Sequence, residues 1–279
     1  MCQFLNYVTA DTVFTVTITL FVFIVGISIN EGIKFCERRG ERKRVKKYFK
    51  YQIDKLADSY SVKLIQAYID FYKSITIDTG VPMTPPKIFS GDFERIRNIE
   101  SKELFQSISE KKELSNILNQ IDYFDNIVVE VADYHKSALV TSDIFREKID
   151  DQIKQYMNLL SEFTEFERKN NPNYKKDPHF IMFNESIVYF YNDIAGKRAL
   201  QEFYEKVLRP NQEYLVKEQL FRSHEKGKDL AELGKNLSYC YNDLLRWTVE
   251  YIDQFKVFAQ YLEESRKLLI ENKDKINWG

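Results

Sequence analysis

Three histidines and a few nearby acids are the groups with which this chain would do chemistry. His135 sits in "ADYHK", with Glu130 and Asp133 within five residues. That spacing would serve acid–base catalysis if imidazole and carboxylate met across one helix face. On a charged helix the same residues form a solvated cluster, and this is the favoured reading. His179 stands beside Pro178, and His224 lies at an expected helix end. No histidine has a second one at metal-ligand spacing, so a zinc helix of the H-E-x-x-H type is absent. Cys2, Cys36 and Cys240 are too few and too far apart for a disulfide framework or a metal cluster.

Other chemistries fail on spacing. "GKDLAELGKN" (227–236) places six residues between its glycines where a phosphate-binding loop has four. It also puts Asn236 where a Ser or Thr would hold magnesium. There is no G-x-S-x-G elbow. No Arg and His stand four to six residues apart, as helical ribonucleases would place them. The chain therefore reads as non-enzymatic, with no cofactor and no metal.

The spacing that does carry information lies in "DTVFTVTITLFVFIVGISINE", Asp11 to Glu31. Val13 to Ile29 is uncharged, close to the shortest run that crosses a hydrocarbon core. Thr12, Thr15, Thr19, Val22, Gly26 and Ile29 recur at steps of three and four, with Asp11 and Asn30 one turn beyond Thr15 and Gly26. Small and hydroxylated residues on one stripe let membrane helices approach closely and bond across an interface. The functional reading of the stripe is a packing seam between copies or the lining of a narrow polar path, and it stands level with the plainer one that follows. The plainer alternative is a solitary anchor whose threonines bond their own backbone.

A basic run follows at once. Residues 34–50 hold nine bases against Glu37 and Glu41, a net +7, whereas residues 1–33 contain no base at all. A cleaved signal needs a basic segment before the apolar stretch and a small-residue cleavage site after it, and neither is present. The positive-inside rule places residues 1–11 outside the cell and the rest in the cytoplasm, which implies the inner membrane. Arg38, Arg39, Arg42, Lys43, Arg44, Lys46 and Lys47 are expected to contact lipid headgroups. Residues 51–279 carry −6, a poor balance for binding nucleic-acid phosphates.

The fold class that must position these segments is all-α: a single N-terminal transmembrane helix followed by a cytoplasmic helical bundle. Residues 1–11 form a short outer tail, 12–33 the span, 34–79 a basic juxtamembrane helix and 80–92 a Pro/Gly hinge. Residues 93–279 form the bundle. Gly40 is a candidate flex point, and short helices are expected near 92–98 and 101–109. Longer ones should run over 111–138 and from a cap at Thr141-Ser142-Asp143 to about 169. Asp177-Pro178 reads as N-cap and first helical position, with a stop at Gly196. A break is expected near Arg209-Pro210 and a last loop at 224–229. In the final helix Leu237, Tyr241, Leu244, Thr248, Tyr251, Phe255, Phe258, Leu262, Ser265 and Leu269 keep heptad spacing. With Cys240, Trp247, Ile252 and Ala259 beside them, the stripe is wide enough for a bundle helix. "IVYFYNDI" (187–194) echoes "LSYCYNDL" (237–244), and Asn192 and Asn242 would tie the bundle if the echo were structural.

The expected function is a membrane assembly: a homo-oligomer joined through the span and bundle, channel-like or membrane-disturbing. Single-span effectors of antiviral host defence share this layout, an analogy of architecture with no motif behind it. The competing reading is a membrane-tethered scaffold or sensor that binds a cytosolic protein partner.

Overall fold

Scarcity of helix breakers sets the architecture. With 9 Gly and 6 Pro in 279 residues, long stretches carry nothing that interrupts i→i+4 hydrogen bonding. The computed structural model describes residues 10–82, 84, 96, 99, 101–197 and 199–278, with side chains from Phe14 onward. The fold is all-α, and the described residues contain no strand. Helix α1 (Ala10–Lys55) passes through a π-turn (Leu56–Tyr60) into α2 (Ser61–Lys73). Then come α3 (Ser101–Ser107) and α4 (Lys111–Asn170). Helix α5 (Pro178–Tyr189) widens into a π-turn (Phe190–Ile194). A short α6 (Leu200–Phe203), a third π-turn (Tyr204–Leu208) and α7 (Arg209–Lys217) form one run. The chain closes with α8 (Leu220–Ser223) and α9 (Glu225–Asp274).

Two compact units divide these elements. The first takes residues 1–60, 89–122 and 266–279. Its core is built by Phe49, Ile53 and Leu56 from α1, Leu104 from α3, Leu114, Ile117 and Ile121 from α4, and Leu269 from α9. Removing a side chain of this size from water contributes roughly 1.5–3 kcal/mol each, as an upper estimate. The first unit is also tied by polar contacts. Arg266 donates from Nε to the Ala57 carbonyl at 2.7 Å, and Lys273 pairs with Asp54 at 3.1 Å.

The second unit takes residues 61–88 and 123–265. One cluster joins Ile153, Tyr156, Leu160 and Phe163 of α4 to Phe183 of α5 and Leu237 and Leu244 of α9. A second, aromatic cluster brings Tyr68 and Phe71 of α2 against Tyr134 and His135 of α4 and Tyr251 and Phe255 of α9.

Several expected boundaries move. Thr141-Ser142-Asp143 does not start a helix, because α4 runs straight through it. Thr141 Oγ1 donates to the Ser137 carbonyl at 3.2 Å, and Ser142 is buried, so neither hydroxyl residue acts as a cap. Pro210 does not break its helix either. The preceding π-turn carries the Arg209 N–H to the Tyr204 carbonyl, five residues back. The wider ring relieves the clash a proline ring makes with the turn before it. The expected loop at 224–229 shrinks to extended His224, since α9 begins at Glu225. Gly40 lies inside α1, and the irregular turn comes sixteen residues later at Leu56. Most of the expected 92–98 helix lies outside the described residues.

The caps at α5 follow their sequence signals. Asp177 Oδ1 accepts from the His179 and Phe180 N–H groups at 2.8 and 3.2 Å, with Pro178 at the first helical position. Gly196 ends that helix in the left-handed region, φ +80°. Asn192 and Asn242 are both exposed, so they do not tie the bundle. Their two segments also differ in form, one a π-turn and the other regular helix.

Candidate membrane-facing site

Helix α1 presents two chemically opposite halves. Every residue from Phe14 to Arg39 is exposed, and the helix is long and apolar enough to cross a membrane. Phe14, Phe21 and Phe23 each show about two-thirds of their surface. Exposed aromatic and aliphatic side chains over this length are costly in water and at home in hydrocarbon.

Helical geometry sets Thr15, Thr19, Val22, Gly26 and Ile29 on one stripe, as the spacing predicts. Thr19 Oγ1 donates to the Thr15 carbonyl at 2.7 Å, and Ser28 Oγ donates to the Ile24 carbonyl at 2.8 Å. These bonds satisfy the hydroxyl protons inside the helix, as a lipid environment requires. The hydroxyl oxygens keep acceptor capacity toward a neighbour. A Cβ built on Gly26 would meet nothing within 4 Å, so the notch it leaves faces outward. Asp11 and Thr12 lie in the first turn, but their side chains fall outside the described residues. Asn30 is exposed at the other end. One residue further, Glu31 pairs with Lys34 at 3.0 Å, which marks the first charged turn.

Below that turn the bases are arranged by angle as well as by number. Arg39, Arg42, Lys43, Lys46, Lys47 and Lys50 recur at steps of three and one, so they share a face of α1. Among the described residues none of them forms an ion pair, whereas many other surface bases do. Lys154 pairs with Asp151, Lys169 with Glu165 and Lys256 with Asp253. Like charges at i,i+4 destabilise an isolated helix by roughly 0.2–0.5 kcal/mol per pair. The stripe contains four such pairs: 39/43, 42/46, 43/47 and 46/50.

The first unit builds two hollows along this stretch. One, about 460 Å³, has Arg38, Arg42 and Arg44 on one side and Glu103, Gln106 and Ser107 of α3 on the other. The second, about 980 Å³, is lined by the six-base stripe together with Ser107 and Trp278. Packing fixes the tryptophan. Its Nε1–H donates to the Lys273 carbonyl at 2.9 Å, and its ring lies 6.3 Å from that of buried Phe49. Lys50 Nζ stands 6.0 Å from the Trp278 ring centre, within cation–π range. The adjacent Asn277 N–H donates to Glu110 Oε1 at 3.2 Å. Glu110 is held below the usual carboxylate range, first by the Ser109 hydroxyl and least by the Lys46 charge.

The stripe's register was visible in the sequence, but a run of bases read as a block of charge conceals its angle. Trp278 carried no such signal, since only the fold brings it to α1.

The histidines are structural in their surroundings. His135 is buried, and its Nδ1 lies 2.8 Å from Tyr251 Oη, while Glu130 and Asp133 point to solvent on another face. This corrects the expected solvated cluster. His179 Nδ1 meets Tyr214 Oη at 2.8 Å, and His224 packs 4.5 Å from the Phe163 ring with Glu167 at 3.7 Å. Among the described residues no group of three His, Cys, Asp or Glu is placed to hold a metal. The glycines of "GKDLAELGKN" lie within α9 and pack against Leu220 and Gln212, which removes the phosphate-loop reading.

No known family, curated protein or solved structure matches this chain.

Proposed function

We propose that this is a single-span membrane protein that assembles with copies of itself. The stripe from Thr12 to Ile29 packs between helices, and the bundle lies on the cytoplasmic side. The observation that supports this most is the unbroken run of α1 from an exposed apolar half, through the basic stripe, to Phe49 and Ile53 in the core of the first unit. A stiff helix of 46 residues spans about 69 Å at ~1.5 Å per residue. Movement of the first unit is therefore carried into the span, and a rearranged assembly disturbs the bilayer or opens a path through it. The activity is non-enzymatic.

The test is the size of the detergent-purified full chain, with and without Thr15→Leu and Thr19→Leu. An oligomer that falls apart on substitution is the expected result. A monodisperse monomer in both cases overturns the proposal. Ion flux in liposomes then separates a path from a plain assembly.

Val140 and Ile144, one turn apart on α4 and both exposed, favour a second reading. There the second unit is a docking platform for a cytosolic protein, and the span is only its anchor. A monomer without flux in liposomes selects this reading.

A further inference from the structure

If α1 spans a membrane, the far half of the basic stripe lies deeper than the layer of lipid headgroups. Even with the hydrocarbon edge set as low as Ile33, Lys46 and Lys50 lie about 20 and 25 Å further along α1 at ~1.5 Å per residue. At the steep end of observed helix tilts, about 40°, these depths are still about 15 and 20 Å. The headgroup layer is only about 5–8 Å thick on each side, and salt screens charge within about 8 Å. On this geometry Arg38 falls within that layer, whereas Lys46, Lys47 and Lys50 lie beyond it.

We propose that Lys43, Lys46, Lys47 and Lys50, with Trp278 and Ser107, form a binding site for a soluble ligand bearing adjacent phosphates. Four lysines line one hollow, beside Arg39 and Arg42. None has an ion-pair partner among the described residues, and Lys46 is close enough for its charge to help lower Glu110, as the smallest of the causes. Ammonium donors and a serine hydroxyl suit the several acceptor oxygens of a polyphosphate. The hollow holds more than a single phosphate, and its aromatic wall offers a flat surface to whatever group the phosphates carry. The proposal draws on the membrane reading only to exclude headgroups; it does not depend on self-assembly.

The probe is tripolyphosphate, titrated into the full chain in nanodiscs of zwitterionic lipid and followed by calorimetry and tryptophan fluorescence. Saturable binding is expected, with a fluorescence change that disappears in Trp278→Phe. Replacing Lys46, Lys47 and Lys50 together by Gln should weaken binding about tenfold or more. Replacing Lys154, Lys169 and Lys256 by Gln changes net charge equally and should leave it intact. Binding should also persist in Thr15→Leu/Thr19→Leu, so failed assembly and a failed site are separable results. Absence of saturable binding overturns the proposal, as does equal weakening by the two lysine triples. An anionic-lipid nanodisc that by itself reproduces the Trp278 change and blocks tripolyphosphate also overturns it, because headgroups would then occupy the hollow.

Discussion

His135 Nδ1 and Tyr251 Oη lie 2.8 Å apart in the interior of the second unit, on α4 and α9. The tyrosine ring is stacked between Tyr134 and Trp247, each with its ring centre 5.6 Å away. The residue is fully buried, and desolvation pushes its pKa well above the ordinary value. Tyr251→Phe keeps the ring and removes this bond. A buried polar atom deprived of a partner costs about 1–3 kcal/mol. Thermal unfolding of the second unit, followed by near-UV circular dichroism, should shift down by several degrees. Tyr251→Leu should cost more, since it also removes the stacked ring.

Buried and half-buried tyrosines should make stability fall at alkaline pH. Desolvation raises the pKa of Tyr156 and Tyr251 above the ordinary tyrosine value, and Tyr134, Tyr214 and Tyr241 shift the same way for the same cause. Tyr189 is pushed up to about 12, chiefly by its hydrogen bond to Glu202. A raised folded-state pKa means that the folded chain holds the proton more tightly. Its stabilising effect is complete below the unfolded value of about 10 and is lost as pH rises through the folded one. Denaturant midpoints attributable to these groups should be flat from neutral pH to about 10 and then fall. In Tyr156→Phe/Tyr251→Phe the fall should be shallower.

How far the sequence disclosed these features depends on whether a feature is set locally. The α9 stripe was legible because a heptad pattern specifies its own face, and Leu237 through Leu269 are buried in that register. Asp177 and Gly196 were legible because a cap and a left-handed stop are decided within a few residues. His135 was misjudged because the acids beside it in sequence say nothing about which face α9 covers. Thr141-Ser142-Asp143 has good capping chemistry, but packing of Ala138, Ser142 and Ile149 holds α4 continuous. The π-turn before Pro210 left no mark in composition. Of the candidate site, the apolar stripe and the bases were legible, whereas the hollow with Trp278 needs residues more than 220 positions apart.

The turn after α2 depends on one glycine. Gly80 has φ +67°, and a Cβ there would sit 2.5 Å from Arg146 Nη2. That guanidinium donates to the Ile77 and Asp78 carbonyls at 2.7 and 3.2 Å, closing the turn onto α4. Gly80→Ala therefore meets both backbone strain and a side chain that is not free to leave. The expected loss is about 1 kcal/mol or more. Arg146→Lys, with a single point charge in place of a planar fork, should cost a similar amount. Combining the two should cost less than their sum, because each removes the same contact. A double-mutant cycle by denaturant unfolding reads this directly, and full additivity would show that the turn and Arg146 act independently.

The natural cysteines report the orientation of the span without new mutations. Cys36 is exposed on α1, just below the first charged turn, and Cys240 is buried on α9. Cys2 belongs to the segment before α1. If residues 1–11 lie outside, a membrane-impermeant maleimide added to intact cells labels Cys2 and leaves Cys36 untouched. Permeabilising the membrane exposes Cys36 to the reagent. Cys240 should react only after denaturant opens the second unit, which gives an internal measure of folding in the same sample. Labelling of Cys36 in intact cells with Cys2 protected would reverse the orientation. It would also place the lysine hollow outside the cell, where a soluble phosphate-bearing ligand would have to be supplied from the medium.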